Sequence, residues 1–282
     1  MRLVPTATAL CFATAFCLLA GPRDARAQEG WELGVGLGAG HYFGDLNTDF
    51  ALRDPGVNVQ GIARYNFSDR WAVRLHASYM RVSADDAKSD NVYERARNLH
   101  FRSDVVDGAL GFEFNFLRYE HGSRDHFFTP YVFAGLDVAS YNPQAELDGA
   151  WVALRDYGTE GQFPGEEYYT TSLGLAYGLG LKLDLTYEWS LNFELNARQL
   201  FGDYLDDVST VYPDAEDLRD LRGEDAVRLS DRSIVIDGVS EAQLGEQGRL
   251  RGNANDNDRF AGLTVSLVYY LGDLKCPEYG SR

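Results

Sequence analysis

Apolar and polar residues alternate along most of this chain, most clearly in residues 172–207. Two alternating stretches lie there, separated by a tight connection at residues 186–188. In the first stretch, apolar side chains occupy every second position: Leu173, Leu175, Tyr177, Leu179, Leu181, Leu183 and Leu185. A period of two is that of a β-strand, whose side chains point alternately to opposite faces. The segment is therefore predicted to form an antiparallel hairpin.

The same pattern predicts eight strands, at residues 31–43, 57–67, 71–82, 99–116, 127–141, 172–185, 189–201 and 259–271. They exceed the roughly 5–6 residues usual in globular sheets and are long enough to cross a bilayer when tilted. Short turns follow strands two, four and six, and long loops follow strands one, three, five and seven. This asymmetry is typical of bacterial outer-membrane barrels. The predicted fold is all-β: an eight-stranded antiparallel up-and-down transmembrane β-barrel with short periplasmic turns and long extracellular loops.

Small or charged residues fill the positions between the apolar ones, and we expect them to face the lumen. Five of them are predicted to form an ion-pair network in which two bases offset three acids: Lys182, Arg198, Glu113, Asp184 and Glu194. Eight strands enclose a space about wide enough for side chains to fill, so the barrel is predicted to be plugged. A soluble barrel would need these charges on its outside, which makes that alternative unfavourable.

The N-terminus has the layout of a cleaved export signal. Arg2 precedes an apolar stretch at residues 3–20, and Ala-Arg-Ala at residues 25–27 is a cleavage site. The predicted organisation is a signal peptide at 1–27, an outer-membrane barrel at 28–271 and a periplasmic tail at 272–282. No apolar run of about 18 residues follows the signal, so no helical span is expected. The formal charge of −17 disfavours nucleic acid as a partner.

The sequence contains few candidate catalytic or metal-binding residues. His76 and Ser78 lie two apart on one strand face, a spacing similar to the His-x-Ser of outer-membrane lipid A deacylases. No oxyanion-hole motif or nucleophile elbow accompanies them, so we predict that the protein is not an enzyme. The histidines lack the paired spacing of a metal site, and the acids at 253–258 lack the glycine and distal glutamate of a calcium loop. No cofactor or metal is predicted.

Specific motifs lie at the loop edges, at residues 40–47, 128–135, 151–162, 203–214, 251–258 and 276–277. This ordered set resembles the PorG-like outer-membrane barrels of Bacteroidota, a component family of the type IX secretion system. The motif residues at the loops are Gly44, Asp45, Trp151, Gly158, Thr159, Glu160, Asp203, Tyr204, Asp206 and Asp207. The resemblance implies a non-enzymatic assembly component that docks a periplasmic lipoprotein ring. The alternatives are a stand-alone barrel for envelope integrity or lipid and hydrophobe binding, and a lipid-modifying hydrolase.

The tail and the last loop carry two further expectations. Signal cleavage would leave Cys276, followed by Pro277, as the one thiol of the mature chain. A lone cysteine in an exported protein is either free or bonded to another chain, and here a disulfide to the periplasmic ring lipoprotein is one hypothesis. In the last loop, Asp203 is expected to pair with Arg198. Asp206 and Asp207 are expected to accept hydrogen bonds from backbone amides of the loop.

Overall fold

The computed structural model describes residues 29–49, 51–236 and 244–272. The predicted signal peptide lies outside the described residues, and so do Cys276 and Pro277 of the tail. Within the described part, no helix is long and apolar enough to cross a membrane.

Ten strands follow one another along the chain: β1 (Gly30–Phe43), β2 (Gly56–Asn66), β3 (Trp71–Asp85), β4 (His100–Asn115), β5 (Phe128–Ser140), β6 (Pro143–Leu147), β7 (Ala150–Ala153), β8 (Thr171–Asp184), β9 (Trp189–Leu200) and β10 (Arg259–Tyr270). Each strand except β6 and β7 pairs antiparallel with two barrel neighbours, and the β6–β7 hairpin adds to the edge of β4. β1 and β10 close the ring, in a register that runs from Glu32 opposite Tyr270 to Phe43 opposite Arg259. The structure confirms the closed eight-stranded barrel, with strand ends within three residues of the prediction.

The barrel is apolar outside and polar inside. On β4, Val106 and Leu110 are 58% and 59% exposed, whereas Asp107 and Glu113 are 3% and 1% exposed. The other barrel strands alternate in the same way, because the pleat sends successive side chains to opposite faces. An outer wall of exposed leucine, valine and phenylalanine is stable only where hydrocarbon surrounds it.

The two ends of the barrel differ. At the short-turn end, connections at 67–70, 116–127 and 185–188 join β2 to β3, β4 to β5 and β8 to β9. At the other end, the loops at 44–55, 86–99, 141–170 and 201–258 pack together into a structure that we call the cap. A cluster of buried apolar side chains joins the cap to the adjoining strand ends, and includes Tyr42, Leu46, Phe101, Leu205 and Phe260.

The sequence pattern missed the regular structure inside these loops. It includes helices α1 (Val92–Arg97), α2 (Ala215–Arg222) and α3 (Glu224–Ser230), together with the β6–β7 hairpin. The helices span two turns or less, too few for a period of 3.6 to stand out. The hairpin did carry a signal. Asp148 and Gly149 form its two-residue turn with φ of 51° and 84°, and Asp-Gly is a preferred sequence for such turns.

Candidate functional site

The lumen is filled by charged side chains. Glu113 lies at the centre of one cluster, with carboxylate oxygens 2.9 Å from Arg64 Nε, 3.5 Å from Arg74 Nη1 and 2.5 Å from Lys182 Nζ. All four side chains are at most 2% exposed. Burying an isolated charge is very unfavourable. This arrangement is stable only because the three cations all lie close to the Glu113 carboxylate.

A second cluster lies further along the lumen. Arg74 donates to Glu194 at 2.8 Å, and the Tyr131 hydroxyl donates to the same carboxylate at 2.8 Å. Arg198 Nε lies 3.0 Å from Asp107 and 3.7 Å from Asp137. A cavity of about 10 Å³ beside Arg74, His76 and Arg198 has room for about one water molecule. The lumen therefore offers no path for a diffusing solute.

The five predicted lumen residues all have buried side chains, and they form a larger network than the predicted two bases and three acids. Lys182 and Glu113 meet directly, whereas Glu194 pairs with Arg74, which lies outside the predicted set. Sequence reasoning missed the other charged residues of the network: Glu32, Arg64, Arg74, Asp107 and Asp137. Their alternation with lipid-facing residues was the available signal. The partner across the lumen depends on barrel closure and stagger, which no single strand encodes.

His76 and Ser78 do not form a catalytic pair. The Ser78 hydroxyl donates to Asp107, and the His76 ring contacts Gln60 at 3.0 Å and Arg198 at 2.9 Å. A nucleophile needs a hydrogen bond to its base and access to substrate. Neither is present here, because both side chains are buried in the filled lumen.

A histidine closes the short-turn end. His121 comes from the 116–127 turn, and its ring nitrogens lie 3.1 Å from Glu32 and 3.0 Å from Asp184. The ring stacks on Tyr270 with centroids 4.4 Å apart. Asp184, predicted to pair with a lumen base, binds this turn instead and also accepts a hydrogen bond from the Tyr119 hydroxyl.

This contact predicts a pH-dependent stability. Burial disfavours the charged ring, but hydrogen bonds to Asp184 and Glu32 outweigh it and raise the pKa of His121 from 6.5 to about 9. A raised pKa stabilises the fold fully below pH 6.5, and the contribution is lost as the pH rises through about 9. We expect His121→Gln to lower the free energy of unfolding by up to about 3 kcal/mol at pH 6.

Urea unfolding of the refolded protein in detergent micelles at pH 6, 8 and 10 measures this difference. The difference in the free energy of unfolding between wild type and His121→Gln should decrease towards pH 10. His126→Gln, in the same turn, is the matched control and should follow the wild-type curve. A gap that is the same at all three pH values would contradict a charged His121.

In the cap, two buried arginines connect all four loops. Arg251 donates to the backbone carbonyl and carboxylate of Asp207 and, at 3.2 Å, to Glu160. Arg97 donates to Asp86 at 2.7 Å, to the Asp45 carbonyl at 2.7 Å and to the Arg251 carbonyl at 2.8 Å. Because these contacts join segments far apart in sequence, the cap is a single packed unit.

Most of the predicted motif residues meet in the cap. Glu160 accepts from the backbone amides of Ser209 and Thr210 at 2.9 and 3.0 Å. The Thr159 hydroxyl donates to Asp207 at 2.5 Å. Gly158 ends the 3₁₀ turn Leu154–Tyr157 with φ of 54°, where a side chain would be strained. Tyr204 stacks in parallel on Tyr168, with centroids 4.4 Å apart.

Four aspartates collect where the cap meets the barrel. The Tyr42 hydroxyl donates to Asp206 at 2.5 Å, and its oxygen lies 3.0 Å from the Asp258 carboxyl. Burial raises the pKa of both carboxyls well above the usual range, that of Asp203 to about 7 and that of Asp45 to about 6. Folding therefore favours the protonated form of these carboxyls, and their contribution to stability falls as the pH rises above the ordinary carboxyl range.

The expectations for the 203–209 loop are met in part. Asp206 accepts from the Val208 amide at 2.9 Å. The Asp207 carboxylate is bound by side chains instead, those of Thr159, Tyr168 and Arg251. Asp203 does not pair with Arg198, whose side chain turns into the lumen towards Asp107. In the described part of the chain, no three His, Cys, Asp or Glu side chains are arranged to hold a metal ion.

The remaining motif residues lie around this core. Gly44 packs so closely against Tyr42 and Asp258 that a Cβ atom would overlap both. Trp151 lies on β7, away from the cap interior, where its ring faces the Arg102 guanidinium. It is 39% exposed.

The chain has an apolar outer face, a closed ring of strands and a lumen filled by polar side chains. These features define it as a small transmembrane β-barrel of the outer-membrane type. Residues 10–240 match the family described as "Domain of unknown function (DUF6089)", and the chain belongs to that family. The search of curated proteins found no match.

Solved structures similar to this chain include small outer-membrane proteins. OprG from Pseudomonas aeruginosa is 13% identical with a TM-score of 0.42, covering 88% of this chain and 99% of its own. Ail, the attachment invasion locus protein of Yersinia pestis, is 11% identical with a TM-score of 0.41, covering 86% and 99%. Neisserial surface protein A is 11% identical with a TM-score of 0.41, covering 85% and 96%.

Proposed function

We propose that this protein is a non-enzymatic scaffold of the outer membrane that docks a periplasmic lipoprotein ring of the type IX secretion system. The filled lumen is the observation that supports a role other than transport. Glu113 and Glu194, with the cations around them, occupy the barrel interior, and His121 closes its short-turn end. A barrel that conducts nothing has its loops, turns and tail left for function.

The secretion role is supported by the ordered motifs of the sequence, which resemble those of PorG-like barrels. In the cap, motif residues such as Glu160 and Asp207 are engaged with each other and with Arg251. Their side chains are buried, so they support the shape of the cap rather than contact a partner directly. That leaves the periplasmic end for the ring, where the short turns and the segment containing Cys276 would meet it.

A non-reducing gel of native outer membranes tests the docking, with wild type beside Cys276→Ser. We expect a reductant-sensitive band of higher mass in the wild type that is absent from the variant. The same membranes, solubilised in mild detergent, should yield a lipoprotein that co-purifies with the barrel.

The alternative is a stand-alone barrel that stabilises the envelope or binds lipid. It predicts that both proteins migrate as monomers and that no lipoprotein co-purifies. That outcome would contradict the docking role and leave the sealed barrel unaffected.

A further inference from the structure

One arginine on the outer wall is held in place without an acidic partner. Arg102 projects outward from β4, and its guanidinium lies 3.9 Å from the ring centroid of Trp151 on β7. Its Nε donates to the Gln144 side chain of β6 at 3.1 Å. The ring sets the plane of the guanidinium and the glutamine sets its rotation, so the cation is pre-oriented.

A carboxylate on the same face of β4 already has other hydrogen-bond partners. Asp104 lies two residues along β4. Its carboxylate accepts hydrogen bonds from Nε and Nη2 of Arg81 at 2.7 and 2.9 Å, and from the Tyr79 hydroxyl at 2.7 Å. Among the described residues, neither terminal nitrogen of Arg102 makes a hydrogen bond or an ion pair. Asp104 attracts Arg102 electrostatically, but its carboxylate oxygens bind Arg81 and Tyr79, so both terminal nitrogens of Arg102 are available to a further acceptor.

The height of Arg102 on the barrel indicates what it faces. The exposed apolar residues of this strand and its end run from Val106 to Phe116. At about 3.3 Å per residue and a tilt of about 40°, this spans about 25 Å, the thickness of the apolar band of outer-membrane barrels. Arg102 lies four residues beyond Val106, about 10 Å above that band, at the outer edge of the headgroup region. Tryptophan is common at this level.

We propose that Arg102 and Trp151 form a binding site for the phosphate monoester of an outer-leaflet lipid headgroup. The two free nitrogens of the guanidinium match two phosphate oxygens, and Trp151 excludes water from one face of the pair. The acyl chains would lie along the apolar wall directly below, on Leu75, Val106 and Leu110, which are 56–59% exposed. Because Arg102 lies on the same outer face as the lipid-facing apolar residues, a lipid fits this site better than a soluble anion. The site depends on the transmembrane placement and is independent of the secretion role.

Native mass spectrometry of the full-length protein in mild detergent tests this site. The probes are phosphatidic acid and diacylglycerol with the same acyl chains, which differ only in the phosphate. Arg102→Gln should weaken binding of phosphatidic acid about tenfold and leave that of diacylglycerol unchanged. Trp151→Leu should weaken it about threefold. The control is Arg228→Gln, since Arg228 is an exposed cap arginine that is paired with Asp148 and Asp225.

Equal affinity of wild type and Arg102→Gln for phosphatidic acid would overturn the proposal. An equal loss in Arg228→Gln would also overturn it, because the binding would then be general attraction to a cationic surface. Inorganic phosphate distinguishes a free anion from a lipid. If millimolar phosphate displaces phosphatidic acid, the site binds the soluble ion and the lipid assignment is wrong. Unchanged migration of the unheated variants on a gel shows that the barrel is folded.

Discussion

Replacing Glu113 with alanine is expected to lower the free energy of unfolding of the barrel by about 3–5 kcal/mol, or to prevent its folding. Glu113 lies within 3.5 Å of Arg64, Arg74 and Lys182, and its side chain is fully buried. Without it, Lys182 loses its only carboxylate within ion-pair distance among the described residues. Urea unfolding in micelles, followed by the shift in gel migration of folded barrels, measures the loss.

The matched control for this prediction is Glu224→Ala. Glu224 also binds an arginine, Arg219, at 2.5 Å, but both side chains are largely exposed to solvent on the cap. Exposed ion pairs contribute little, so this variant should unfold at the wild-type urea concentration. If the two variants lost equal stability, burial of the lumen network would not be the cause.

Replacing Arg251 with methionine is expected to open the cap while leaving the barrel folded. Arg251 is 2% exposed and connects Glu160, Asp207 and the Ser230 carbonyl, so its loss leaves two buried carboxylates without their cation. We expect the free energy needed to open the cap to fall by about 3–5 kcal/mol. Proteinase K should then cleave within residues 201–258 at least tenfold faster than in the wild type, since an opening cost of 1.4 kcal/mol already corresponds to about a tenfold population change.

Arg249→Met is the control for the cap, because Arg249 is two residues away and exposed. Its loop should be cleaved at the wild-type rate. The strands should resist the protease in all three proteins, since their backbone is hydrogen-bonded within the sheet. Cleavage of the strands in Arg251→Met would show that the cap and the barrel unfold together, contrary to the prediction.

The barrel wall could be predicted from the sequence because each strand carries its own pattern. Val106 and Leu110 on one face and Asp107 and Glu113 on the other are sufficient to place β4 and its two environments. The pairing inside could not be predicted. Arg198 reaches Asp107 rather than Glu194 because partners are chosen across the closed lumen, by strand stagger and side-chain length.

The cap was harder to predict for a different reason. Its structure depends on contacts such as those between Arg97 and Asp45, which join loops separated by dozens of residues and follow no local period. Several residues of the predicted motifs nevertheless lie together in the cap. Glu160 and Asp207 have buried carboxylates that are hydrogen-bonded to groups from other segments of the cap.

The arrangement of the lumen charges also bears on how the barrel enters the membrane. Arg74 of β3 has the closer of its two carboxylates, that of Glu194, on β9, and Asp107 of β4 binds Arg198 on the same late strand. An insertion intermediate that lacked the last hairpin would therefore expose uncompensated charges to lipid, where each is very unfavourable. Closure of the ring and neutralisation of its interior are thus coupled in a single step. We expect insertion to be all-or-none, with no stable half-barrel in the bilayer.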